Sequence, residues 1–189
     1  MNSFYENSVY RLGEARIEGG YRYYLRGEIL KPKSARHLVV VQLNPSKANG
    51  KRSDATAGKV CNWAARNDFA VIHFVNLFAR IATVQSDVRQ DISYEELVGA
   101  ENDRCLNNVL DAVPKDDSRF VFAYGQPEGV LYDFHSKRVG EIEALLSRHR
   151  VKEIFRVGPL SNGKFPRHGR AWNKDVGLEA LDIHALAKN

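Results

Sequence analysis

Only two cysteines, Cys61 and Cys105, occur in the 189 residues. So few thiols imply no disulfide framework and their separation fits no metal-ligand spacing, which points to a reducing compartment. No window approaches the roughly 18 consecutive apolar residues that a spanning helix needs. The opening MNSFYENSVY lacks the basic segment and apolar run of a secretory signal. A cytoplasmic protein without membrane contact is expected. Three common signatures are missing as well. There is no GxxxxGK(S/T) phosphate loop, no GxGxxG fingerprint and no GxSxG elbow, which removes the usual nucleotide-hydrolase, dinucleotide and serine-hydrolase readings. His37, His73, His135, His149 and His184 show no metal-ligand spacing, and neither a metal nor a cofactor is expected.

What is present is enough for one well-filled domain. Hydrophobic residues make up 43% and charged residues 27% of the chain, a balance that suits a single globular unit with an ample core. The net charge of +5 is placed unevenly. Lys31, Lys33, Arg36, Lys47, Lys51, Arg52 and Lys59 crowd the first third against Asp54, and Lys164, Arg167, Arg170 and Lys174 crowd a later loop. The segment from Asp91 to Asp117 is acidic. Two basic regions that converge would make a phosphate-binding face; two that do not are solvated loops.

Residues 1–30 read as an N-terminal extension, a β-hairpin with strands Val9 to Ile17 and Tyr21 to Leu30 around Glu18-Gly19-Gly20. Residues 31–189 read as the core. Leu38 to Leu43 is an apolar run broken only by Gln42, as in a strand buried on both faces. Thr56 offers an N-cap for a helix over Ala57 to Asn67, and Ala70 to Val75 is a second buried strand. Ser93 with Glu96 forms a capping-box pattern before Leu97, Ala100, Leu106 and Leu110, a helix with imperfect periodicity that Pro114 closes. A strand from Arg119 to Tyr124, a helix from about Val130 to His149 and a short strand from Glu153 to Val157 complete the pattern. Strands alternating with helices predict a three-layer α/β/α sandwich around a mainly parallel, four-stranded sheet.

In such a sheet four strand ends share one edge, the usual place for a site. Here they carry Asn44-Pro45-Ser46, Asn76-Leu77-Phe78, Tyr124-Gly125, and Gly158 followed by Gly163 to His168. The series LNPSKA, Asp54 with Thr56, VNLFA, Glu101-Asn102-Asp103, YG and GKFPRH resembles an uncharacterised bacterial and phage domain family marked by an LNPS motif, over about Arg22 to Arg170. More distantly, the layout is similar to the uracil-DNA glycosylase superfamily. That resemblance implies a glycosylase-like fold and a role for each match. Asn44 looks like the residue that positions the attacking water, Asn76 like the asparagine that binds a flipped-out pyrimidine, and His168 like the histidine that supports the departing base. Gly169 stands where the superfamily usually has proline after that histidine, and no aromatic stacking residue follows the first motif.

Elementary chemistry supports the same roles. Breaking a base–sugar bond leaves positive character on the sugar and negative charge on the base, so water is needed on one side and donors on the other. Asp54, the carboxylate nearest the first motif, can stabilise the cation or take a proton. Asn44, Asp54 and His168 are therefore the candidate catalytic residues. Asn76, with neighbouring Ser46 and Phe78, is the candidate base-binding group, and Lys47, Lys51, Arg52, Lys164, Arg167 and Arg170 are candidate phosphate contacts. Each has a plainer alternative: Asn44 as a turn residue, Asn76 as a strand-end cap, Asp54 as a helix cap, His168 as a solvent-facing side chain, Phe78 as core. The expected partner is DNA and the expected protein a monomeric base-releasing enzyme. A non-catalytic nucleic-acid-binding module and a hydrolase of free nucleosides or nucleotides are the two rival readings.

Overall fold

The computed structural model describes residues 4–82 and 85–182; His184 lies outside the described residues. The organising strand is β4 (His37–Gln42), buried from Leu38 onward. It pairs in parallel with β5 (Val71–Asn76) on one side and β6 (Ser118–Phe122) on the other. Side chains alternate along it. Leu38 and Val40 join one apolar cluster and Val39 and Val41 join another, so both faces need a cover. Helix α1 (Ala55–Arg66) covers the first face with Val60, Cys61, Trp63 and Ala64. Helices α3 (Asn102–Ala112) and α4 (Val130–Arg148) cover the second with Leu106, Leu110, Ile142 and Leu146.

Outward from β6 lie β7 (Ile154–Val157), parallel to it, and β8 (Leu178–Ala180), antiparallel to β7. On the other side β3 (Tyr21–Ile29) pairs antiparallel with β5, followed by β2 (Tyr10–Glu18) and β1 (Tyr5–Glu6). The sheet is therefore eight-stranded and mixed, in the order β1-β2-β3-β5-β4-β6-β7-β8. This corrects the expected four-stranded, mainly parallel sheet. The hairpin is not an appendage: its second strand fills the free edge of β5. Its turn suits that role, because Gly19 and Gly20 have φ of +56° and +85°, the double left-handed conformation that matches strand twist in a two-residue hairpin. Strands β1 and β8, of 2 and 3 residues, are too short to leave an alternating pattern.

Two helix boundaries also differ from expectation. Helix α1 is capped by Asp54, and Thr56 lies inside it, giving its backbone N–H to the Asp54 carboxylate at 2.9 Å. The capping box of Ser93 and Glu96 is present, but helix α2 (Tyr94–Val98) stops at Gly99. There φ is +79°, and a Cβ would come within 2.8 Å of the Tyr21 ring. The imperfect periodicity in the sequence is this break between α2 and α3. No helix among the described residues is long and apolar enough to cross a membrane.

Below the core, at the N-terminal ends of the parallel strands, a polar chain runs Tyr24 Oη to His73 Nδ1 (2.8 Å) and His73 Nε2 to His37 Nδ1 (3.0 Å). Burial, with the nearby charges of His37 and Arg26, pulls the His73 pKa down to about 3. Burial and Lys164 pull that of His135 down to about 4. Both rings stay neutral in the folded protein while their unfolded counterparts take up protons near pH 6.5. The unfolded chain then binds more protons, so stability is full above that value and is lost as pH falls toward 4, by about 1.4 kcal/mol per histidine per pH unit. Urea unfolding at pH 5 is expected to give about 4 kcal/mol less stability than at pH 7. In His73→Gln the deficit should shrink by about half; an unchanged deficit would show that His73 titrates freely.

Candidate functional site

The C-terminal ends of β4 and β6 and the loops beyond them surround a cavity of about 390 Å³. Its floor is Gln42 and Arg22. Gln42 is the one polar residue in the buried strand, and its Oε1 accepts from Arg22 Nη2 at 3.2 Å. Arg22 also donates from Nη1 to the carbonyl of Ala48 at 2.9 Å, and its Nε has no partner among the described residues. Burial lowers the Arg22 pKa to about 10 against the opposing pull of Asp54; the group is still a cation at neutral pH.

The three candidate catalytic residues, Asn44, Asp54 and His168, line this cavity together. Asn44 gives its Nδ2 to the carbonyl of Ala82 at 3.0 Å, and Ala82 returns a backbone bond to Pro45 O at 3.0 Å. The amide thereby staples two loops with its donor. Asp54 accepts backbone bonds from Thr56 (2.9 Å) and Ala57 (2.8 Å) on one oxygen, and from Ser46 Oγ and the Ala48 amide on the other. Burial raises its pKa, but those donors and the Arg22 charge outweigh burial and hold the carboxyl below its usual range. Ser46 also lines the cavity, with its hydroxyl directed to Asp54.

His168 comes from the far end of the chain. Its Nδ1 accepts the backbone N–H of Arg170 at 3.2 Å, so the neutral ring carries its proton on Nε2. Burial and the Arg170 charge lower its pKa, against Asp54, and favour that neutral form. The loop is held in place by packing. Gly169 lies so close to α1 that a Cβ would be 2.7 Å from Val60, and Trp172 meets Trp63 of α1 edge-on at 5.0 Å. On the other side Gly125, with φ of +70°, donates its N–H to Pro166 O at 3.0 Å, and a Cβ there would be 2.9 Å from that of His168. The Tyr124-Gly125 strand end thus seats the histidine loop.

Asn76 does not join them. The β4–β5 ladder continues past it, with Leu77 N bonded to Gln42 O at 2.7 Å and Phe78 N to Leu43 O at 2.9 Å. The strand tip therefore lies beyond Asn76, whose buried side chain donates to Arg22 O at 3.0 Å. Phe78, fully buried, packs edge-to-face on Tyr94 at 6.5 Å and is core. The Glu101-Asn102-Asp103 motif is scaffolding for the same corner. Asn102 Nδ2 donates to the carbonyls of Asn76 and Leu77, both at 3.1 Å, and Asp103 pairs with buried Arg138, whose Nε donates to Leu77 O at 2.7 Å. The polar groups in the cavity lining at this level are instead Gln42, the register partner of Asn76, and Arg22. The sequence signal for Gln42 was a polar residue ending an apolar run, VVVQL; Arg22 carried none, since its strand YRYYLRGEI also holds Arg26 and Glu28.

Of the expected phosphate contacts, Arg170 lines the cavity and Lys164 lines a second one. Lys47, Lys51 and Arg52 are exposed on the loop that carries Asn44, Ser46 and Asp54, and Arg167 lies beside His168. None of Lys47, Lys51, Arg52, Arg167 or Arg170 forms an ion pair among the described residues. The lining itself is balanced, with Arg22 and Arg170 against Asp54 and Glu128. No group of metal-ligating side chains occurs among the described residues. The arrangement brings a carboxamide, a fixed anion and a neutral imidazole around one space, with Arg170 in the same lining.

Compared with known protein families, residues 22–168 match the family described as "Protein of unknown function (DUF1643)". No curated protein and no solved structure matches the chain.

The seat of His168 is open to test through Gly125. In Gly125→Ala, the left-handed backbone and the displaced imidazole are expected to cost about 1–3 kcal/mol of stability. The His168 pKa followed by NMR should move up toward 6.5 as the loop loosens. A variant of wild-type stability and unchanged titration would show that the strand end does not seat the loop.

Proposed function

We propose that this chain, which belongs to the DUF1643 family, binds DNA and hydrolyses the N-glycosidic bond of a base turned out into the cavity, in the manner of the uracil-DNA glycosylase superfamily. The observation that carries the reading is a charge-balanced polar cavity, which suits a neutral base, with Arg170 in its lining and with exposed Lys47, Lys51 and Arg52, none of them ion-paired among the described residues, on the loop that supplies Asn44, Ser46 and Asp54, which suits phosphates.

Each residue then has a defined task. The Oδ1 of Asn44 accepts a hydrogen bond from water and points its oxygen at the sugar C1′. The bond from C1′ to the base nitrogen breaks with its electron pair leaving on the base, and the water oxygen bonds to C1′. The water's surplus proton ends on the released base. The Asp54 anion is engaged by its four donors and acts as a fixed negative charge that stabilises the cationic sugar, rather than as a proton acceptor. His168 donates a hydrogen bond from Nε2–H to the base as negative charge builds there, and keeps its proton. Gln42 and Arg22 supply the polar floor against which a base edge is read. Turning a base out costs a few kcal/mol, which contacts from Lys47, Lys51, Arg52, Arg167 and Arg170 to the backbone would offset. The balanced lining also suits a free nucleoside, the one rival it favours; steep weakening of DNA affinity with salt counts against that rival.

The test is DNA of varied base content, incubated with the protein and then treated with alkali, which cleaves at abasic sites. Wild type is expected to give cleavage at one base type. Asn44→Ala should slow base release by about 10²-fold or more while DNA affinity changes less than about threefold. No alkali-labile sites with any base would overturn the reading, and equal loss of binding and release would make Asn44 structural.

A further inference from the structure

A second cavity, of about 400 Å³, lies along α4 and meets the first at Tyr124, which lines both. We infer that it is a nucleobase subsite, taking the base next to the one held in the first cavity on the same strand. The inference rests on the reading above for what the first cavity holds.

Its walls are aromatic. The His135 ring meets Tyr124 at 4.7 Å and Phe165 at 5.8 Å, both edge-on, and Tyr132 stands 52% exposed at the opening. Flat aromatic surfaces of this kind take planar rings with little sequence demand. His135 is only 8% exposed, and its Nε2 has no hydrogen-bond partner among the described residues. A buried polar atom left unpaired is unusual, and its ring belongs to the cavity wall. Gly140 lines the groove, and a Cβ there would meet nothing within 4 Å, so a side chain introduced at this position has open space to enter.

Charge selects the ligand class. Asp133 and Glu143 line the groove with Lys164. Two carboxylates against one cation disfavour a phosphate, and the exposed Asp133 can accept a hydrogen bond from the exocyclic amino group of a base. The fitting occupant is an amino-bearing heteroaromatic ring. Its size agrees, since small-ligand cavities start at about 300 Å³. The shared Tyr124 makes the two sites neighbours, as consecutive bases on one strand require.

The probe is a fluorescein-labelled single-stranded trinucleotide with adenines flanking a central pyrimidine, compared with versions in which either adenine is replaced by an abasic spacer. Affinities are measured by anisotropy with wild type and with Gly140→Leu, which fills the groove. Leucine is the better helix former, so the unfolding midpoint should hold or rise. Loss of one adenine is expected to weaken wild-type binding about tenfold, Gly140→Leu to weaken the intact probe similarly, and the two together to weaken it no further. Additive losses, no loss on removing either adenine, or no binding of the probe at all would overturn the subsite. Coupled losses without base release in the alkali assay would leave the subsite standing and remove the hydrolase reading. Base release without coupling would remove the subsite alone.

Discussion

One carboxylate holds the site together. Asp54 starts α1 by accepting its first free amides, and with its other oxygen it closes the 44–54 loop through Ser46 and Ala48. A carboxylate at an N-cap is stabilised by the exposed N–H groups and by the positive end of the helix. Here it also faces the buried Arg22 guanidinium, which reaches the same loop at Ala48 O. Loop, helix start and cavity floor therefore share one anion. The proposed chemistry uses that same charge, which means the scaffold and the reactive environment are not separable at this residue.

The surrounding scaffold divides the labour differently. Asn102 and Arg138 donate to the backbone at the end of β5, fixing the corner at Asn76 and Leu77, and Asp103 holds Arg138 in place. The histidine loop is fixed from the sides, by Gly169 against α1 and by Gly125 at the end of β6. His168 thus reaches the cavity from a segment more than a hundred residues away from Asn44. Such convergence is what a parallel sheet edge provides, since the chain returns to the same edge after each crossover.

The sequence made some of this plain and hid the rest for identifiable reasons. The β4 run, the long α4 pattern, the Ser93 capping box and the Gly19-Gly20 turn are local signals, and each appears in the fold near its expected place. Asn44, Asp54 and His168 were legible as strand-end and motif residues, and they line one cavity. Asn76 looked equivalent, but where a ladder ends depends on its partner strand, and β4 carries the pairing on through Leu43. The eight-stranded sheet was hidden because the edge that β3 occupies is decided by tertiary pairing, not by the hairpin's own residues. Gln42 was visible as a polar break in an apolar strand, whereas Arg22 was hidden among the other charges of β3, and only packing shows that both line the same hollow.

The account depends on Asp54 staying ionised and in place, and its carboxyl can be followed directly by carbon-detected NMR as pH is lowered. A midpoint below the usual carboxylate range of about 3.9, moving up in Ser46→Ala as one donor is lost, is the result the account predicts. A midpoint at or above that range in the wild-type protein would mean that the donors and Arg22 do not outweigh burial, and would contradict it.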